Sequence, residues 1–424
     1  MFLEGIEKTI ILKDNKVFRF LESKSIFILI AISILLFVGT ANIANTQKFF
    51  LLPAIILMLI FVIYNKVIVI DTRFLLLLGF CFFYTLGCTI FNGPQLTYLF
   101  YTPSLLIIFQ FCLALIRTKN IRFLNILIFS YSCGFFASYV SVIVASISNQ
   151  GILYDGGFVS DFWHHDVNSF ILRTGLSLYC LGIVSYSIAC LYKNQYRTTM
   201  NIVIATTTIC FCFITSTLSG NRSLTIIFII FFFVLGFLNV LKIRQNTLKI
   251  TSLSLIGALF ILGILILFGV VKLPFKLAFL ERVLDPTKNS DSARLELYMV
   301  FFKNFYKYPF GGLNTISELN YVHNIFLDMY TYGGLIPFVL FAAFAVDMAK
   351  KLSDSKDKLK ISKGRYMLYL SLFVLTIGLG LFEPIYNANQ SILSPLLIIY
   401  VALSYGAYPE KKQLSKDNFY LISI

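Results

Sequence analysis

His323 is the residue whose type and setting most readily suggest chemistry. It opens an apolar run, Tyr321-Val322-His323-Asn324-Ile325-Phe326-Leu327-Asp328 and then Gly333-Gly334-Leu335-Ile336-Pro337-Phe338, directly after the chain's long polar stretch. An imidazole titrates near neutral pH, so a histidine at such a boundary can accept a proton from a reacting hydroxyl. If the run is one helix from His323 onward, Gly334 falls on the same face, about 20° around. Imidazole would then sit above a groove without side chains, open to an alkyl chain or another helix. Asn324 and Asp328, four apart, would share a second face and could hydrogen-bond. The plainer alternative is an interfacial histidine bonded to loop backbone.

Four further charged groups belong to the same inventory. Arg222 lies in Ser219-Gly220-Asn221-Arg222-Ser223, a tight turn between two apolar segments, and Arg294 in Ser292-Ala293-Arg294. A guanidinium stays charged and its planar fork grips a phosphate at two points, so an anionic partner would explain Arg222. Snorkelling to lipid headgroups is the alternative for Arg222, and a solvated helix face for Arg294. Arg173 ends Asn168-Ser169-Phe170-Ile171-Leu172-Arg173, one to two turns inside an apolar segment, where it must pair or face water. Glu383, in Gly380-Leu381-Phe382-Glu383-Pro384, is a candidate partner, and a structural salt bridge is the simpler outcome. His164-His165 with Asp161 and Asp166 has weak metal-ligand spacing, because adjacent histidines point in different directions. A polar loop contributing substrate contacts suits that stretch better, and no metal site is expected.

The elements that must position these groups are membrane helices. The chain has 424 residues, of which 58% are hydrophobic and 13% charged, which excludes a soluble globular protein. Apolar runs of roughly 17–25 residues recur throughout, about twelve in all, each long enough to cross a bilayer. They lie near 25–40, 49–64, 74–91, 98–116, 123–147, 167–192, 199–218, 223–241, 250–271, 323–346, 366–383 and 389–407. The expected fold is therefore all-α, one polytopic membrane domain over 1–424 with no internal repeat. Basic residues gather in alternate connections: Lys66 and Arg73; Arg117, Lys119 and Arg122; Lys193 and Arg197; Lys242, Arg244 and Lys249; and a cluster from Lys350 to Arg365. The positive-inside rule then puts both termini in the cytoplasm, and Arg222 on the opposite side without a topological reason. It also makes the net charge of +15 a topology signal rather than a nucleic-acid footprint. No cleavable signal peptide is apparent, so the first apolar run is expected to remain as a helix. The eight cysteines all fall inside predicted spans without a CxxC pair, and read as reduced packing residues.

Two outer connections are large. One is 148–166, which holds the sole tryptophan, Trp163; the other is 272–322, far longer than an ordinary loop. Within the second, Leu295, Met299, Phe302 and Phe305 recur at helical spacing, with Arg294, Lys303 and Lys307 away from that stripe. This predicts an amphipathic helix along the membrane interface, capped by Asp291 or Ser292 and stopped by Pro309 and Gly311-Gly312. Such a helix could roof a cavity between spans. No Walker loop, dinucleotide fingerprint or nucleophile elbow occurs.

His323-Asn324 and Gly334, preceded by a long loop with Arg294 and Gly311-Gly312, together resemble the O-antigen polymerase and O-antigen ligase superfamily. Asn168 and the turn Gly220-Asn221-Arg222-Ser223 add to the resemblance, as does the plan of about twelve spans with a large loop before the His-bearing helix. Pro337 departs from it, standing where many members carry a second glycine. The resemblance implies transfer of glycans from undecaprenyl diphosphate at the outer face of the inner membrane, with no nucleotide, metal or other cofactor. It makes His323 the base that deprotonates the acceptor hydroxyl, and Arg222 and Arg294 the groups that hold the diphosphate. Asn324, Asn168, Arg173, Glu383 and Gly334 become candidate substrate contacts.

Implied partners are the lipid-linked glycan donor, a glycan or lipid acceptor, membrane lipids and a chain-length regulator protein, with no nucleic acid. Polymerase and ligase share these residues; Tyr330, Tyr332 and Gly333-Gly334 after His323 look more like polymerases. A transporter or flippase of lipid-linked sugars is the reading from a different class.

Overall fold

The structure, a computed structural model, describes residues 8–10, 25–42, 47–66, 68–94, 97–118, 120, 122–150, 158–160, 170–192, 199–218, 222–240, 291–316, 322–358, 363–382, 389–405 and 420–422. It is mostly helical. The first group is α1 (Ser25–Ala41), α2 (Gln47–Tyr64), α3 (Thr72–Asn92), α4 (Thr102–Arg117), α5 (Arg122–Gln150), α6 (Arg173–Tyr192), α7 (Thr199–Leu218) and α8 (Arg222–Val240). The second is α9 (Asp291–Asn304), α10 (Ile325–Gly333), α11 (Leu335–Lys358), α12 (Lys363–Gly380) and α13 (Asn389–Tyr405). Among the described residues four stretches are long and apolar enough to cross a membrane: Thr72–Asn92, Tyr98–Arg117, Arg122–Val144 and Thr199–Thr217. Shorter apolar helices accompany them, including Ile26–Ala41, Phe49–Tyr64, Leu178–Tyr192, Ser223–Phe237 and Leu393–Tyr405.

One buried apolar core runs through α1–α8 and α10–α13. Apolar side chains such as Phe27, Phe49, Phe82, Ile90 and Met200 stand exposed on the outside of these helices, as surfaces facing lipid do. α6 packs between α5, α7 and α12, and α4 between α2, α3 and α13. Close crossings use small residues, since bilayer lipid offers helices no hydrophobic drive to associate. Gly182 of α6 is one: a Cβ there would lie 3.0 Å from the Cα of Ser132 on α5. Several polar side chains inside the bundle find hydrogen-bond partners there, as an apolar medium favours. The Tyr139 and Thr215 hydroxyls lie 2.5 Å apart, those of Ser216 and Thr225 3.0 Å, and Tyr186 donates to the Asn125 carbonyl at 2.5 Å.

Four expectations change. The chain is not purely helical: β1 (Lys8–Ile10) lies between β2 (Ile68–Ile70), antiparallel, and β5 (Tyr420–Ile422), parallel. Gln110 anchors this sheet to α4, accepting from Val69 N–H at 3.0 Å and donating to the Val69 carbonyl at 2.7 Å. Second, the run expected at 167–192 starts as strand β4 (Phe170–Leu172), paired with β3 (Phe158–Ser160), so Arg173 is the first residue of α6 rather than lying inside a helix. Third, the run at 323–346 is two helices broken at Gly334. Fourth, α9 is apolar on two faces, not one: Phe301 packs inward while Leu295, Met299 and Phe302 are exposed. The run at 250–271 lies outside the described residues. All eight cysteines are free thiols, with Cys190 and Cys210 exposed rather than packed.

Replacing Gly182 by valine inserts two methyl groups and a Cβ against the Ser132 backbone. The expected outcome is a loss of roughly 1–3 kcal/mol, seen as a lower thermal midpoint of the purified protein in detergent. Gly182→Ala should lose less.

Candidate functional site

His323 stands before a helix, not in it. Its φ is 60°, in the left-handed region that a residue with a Cβ rarely holds. Such a conformation costs of order 1–3 kcal/mol and persists only where its surroundings enforce it. Here the neighbours on both sides do so. Asn324 returns to extended backbone, φ −150° and ψ 121°, and caps α10: its Oδ1 accepts from Phe326 N–H at 3.0 Å and Leu327 N–H at 3.3 Å. Its Nδ2 donates to the Leu381 carbonyl, just beyond α12, at 3.2 Å. Asparagine is well suited to this cap because its side-chain oxygen meets N–H groups that the helix start leaves open.

Asp328 closes the turn from below. Its Oδ1 accepts from Val322 N–H at 2.6 Å, and its own backbone N–H donates to the Asn324 carbonyl at 2.7 Å. Asp328 therefore holds the residues on either side of His323, one by its side chain and one by its main chain. The anticipated side-chain bond between Asn324 and Asp328 does not form, because Asn324 Oδ1 caps α10. Asp328 is 0% exposed and its Oδ2 has no hydrogen-bond partner among the described residues. α10 has nine residues, about 14 Å, too short to span a bilayer by itself.

Against α10 packs α9, continued by a 3-10 turn at Phe305–Lys307. Tyr330 of α10 holds it in place. Its hydroxyl donates to the Phe305 carbonyl at 2.5 Å, and its ring meets Phe301 edge-on at 5.5 Å and Phe338 at 6.1 Å. Phe301, Leu313, Val322 and Tyr330 form a small apolar core of their own. Val322, next to His323, thus belongs to the roof's packing.

Gly334 does not line a groove. It ends α10 with φ 87°, and a Cβ there would lie 2.5 Å from Gly311 N, the Phe310 carbonyl carbon and the Pro309 oxygen. Leu335 N–H donates to the Pro309 carbonyl at 2.8 Å. The space expected for an alkyl chain is filled by the chain's own Pro309–Gly311 turn, because the break at Gly334 frees an amide to bond it. Pro337 sits in the first turn of α11, where its missing N–H is not needed, and packs beside Gly333.

The arginines are described by backbone only. Arg222 is the first residue of α8, and Arg294 lies in the first turn of α9. Ile227 of α8 faces Gly378 of α12, where a Cβ would be 3.6 Å from its Cγ2. The start of α8 therefore meets the end of α12, whose Leu381 carbonyl accepts from Asn324. Arg173 begins α6. Asn168, Glu383 and His164-His165 lie outside the described residues. A recess between α5, α6, α12 and α13, lined by Ser132, Phe135, Leu178, Tyr179, Leu372 and Thr376 among others, has no charged side chain in its lining.

Sequence reasoning passed over Asp328 as an anchor of the turn. The signal was present: a carboxyl four residues into an apolar run is costly unless something holds it. No protein-family model matches the chain, and no curated protein sequence matches it.

Proposed function

We infer that the protein is a membrane glycosyltransferase that moves glycan units from undecaprenyl diphosphate to a hydroxyl acceptor at the outer face of the inner membrane, as a polymerase of surface polysaccharide. The observation that carries this reading is the turn at His323: an imidazole held in a left-handed conformation between two residues tied to Asp328, Val322 by its buried carboxyl and Asn324 by its main chain. Backbone strain maintained this way is characteristic of functional positions.

The chemistry balances on groups in this chain. An imidazole nitrogen of His323 takes the acceptor hydroxyl proton as its oxygen bonds to the donor sugar C1. The bond from C1 to the diphosphate oxygen breaks, and undecaprenyl diphosphate leaves with the electron pair. Arg222 and Arg294 stay charged at any working pH and would neutralise the departing anion. Their positions support that role. A cation in the first turn of a helix opposes the helix dipole, and an anion bound there removes the penalty. No nucleotide or metal enters these steps.

The same reading takes the chain to cross the bilayer about twelve times with 272–322 outside, which the apolar helices at eleven of the expected places support. It takes both termini to be cytoplasmic. The pairing of β1 and β5 in one sheet with β2, which lies between Lys66 and Arg73, supports that arrangement.

In a strain lacking the chromosomal gene, His323→Ala and Arg294→Ala should each abolish long glycans, a fall of roughly 100-fold or more, while the protein still inserts. Full-length glycan ladders from both variants would sink the reading. Deletion of the gene should leave the core oligosaccharide capped with single units if the enzyme is a polymerase. Complete loss of capped core would make it a ligase instead.

A further inference from the structure

α9 carries an apolar surface that the protein's own packing does not use. Leu295, Met299, Phe302 and Tyr306 are 60%, 56%, 59% and 63% exposed. At 100° per residue the three on α9, Leu295, Met299 and Phe302, fall within about 60° of arc, and Phe301, Leu297 and Val300, which pack inward, lie on the opposite side; Tyr306 follows in the 3-10 turn. Phe310, in the turn beyond, is 74% exposed. Lys303 and Lys307 are also exposed, beside the C-terminal half of the stripe.

We propose that this stripe seats α9 in the headgroup and acyl boundary of the outer leaflet, with Lys303 and Lys307 on anionic headgroups. Two observations select lipid as the occupant. First, the surface is continuous with helices that face lipid. The Leu335 N–H bond to Pro309 sets Phe310 at the start of α11, where Leu335 and Val339 are exposed. Gly312 abuts the Phe91 ring in the last turn of α3, beside the exposed Ile90, and α3 is long and apolar enough to span a membrane. Second, the basic flank complements anionic lipid, and a helix with an apolar stripe and lysines beside it is the usual interfacial design. The placement stands independently of the transfer chemistry at His323.

The test adds one tryptophan to the full-length protein, which otherwise holds only Trp163. Met299→Trp, Phe302→Trp and, on the polar edge, Glu296→Trp are each placed in lipid nanodiscs. The discs contain phosphatidylcholine brominated on its acyl chains plus phosphatidylglycerol, and emission is read against discs without bromine. The added emission at positions 299 and 302 should fall about twofold, as expected for a helix face in the acyl boundary, while that at 296 changes little. The quenching should weaken when phosphatidylglycerol is omitted or salt is raised. Equal quenching at all three positions, or none at 299 and 302, overturns the proposal. Unquenched tryptophans whose emission shifts with protein concentration overturn it in favour of a second copy. Size-exclusion profiles matching wild type establish that each variant is folded, and all three positions are exposed.

Discussion

The site depends on one close meeting of backbones. The Pro309–Gly312 turn lies directly on the Gly333-Gly334 junction, and Gly87 of α3 approaches the same point, where a Cβ would be 3.1 Å from Gly333 and 3.2 Å from the Phe310 carbonyl. Only glycine tolerates contacts this short between main chains. The junction breaks an apolar run that would otherwise continue as one helix, and the freed Leu335 N–H bonds Pro309 instead. Two consequences follow. α10 becomes a short, separate helix whose start can carry a strained turn, and the roof helix α9 is fixed to the bundle at its C-terminal end.

Beneath that roof the forces on Asp328 conflict, and the conflict shapes the turn. Its carboxyl gains the Val322 N–H bond but is removed from water, a cost that a single bond offsets only in part. The His323 conformation thus draws its stability from a neighbour on the same short helix, from the Asn324 cap, and from the α12 end that Asn324 reaches. These partners come from two separate parts of the chain, residues 324–328 and the end of α12, which is what holds a strained residue in one geometry.

Much of this was legible in the sequence. Apolar run length located the helices, because a segment surrounded by lipid must satisfy its backbone internally. The stop after Lys307 and the roof helix itself followed from Pro309, the glycines and helical spacing. What the sequence hid was contact across long separations. Gly333-Gly334 read as a groove because nothing local says that Pro309–Gly311 fills it. Arg173 read as lying inside a helix because Phe170–Leu172 is as apolar as any span, and only pairing with Phe158–Ser160 makes it a strand. The α9 periodicity identified one apolar stripe, but Phe301 on the other side shows its purpose only when Tyr330 is seen against it.

The most direct test of transfer at His323 uses the purified protein in phospholipid vesicles, supplied with one undecaprenyl-diphosphate-linked glycan unit and no nucleotide. The account predicts lengthened lipid-linked glycan and one free undecaprenyl diphosphate for each new linkage. Donor recovered intact, or carried across the bilayer unchanged, would contradict it and leave a transporter in its place.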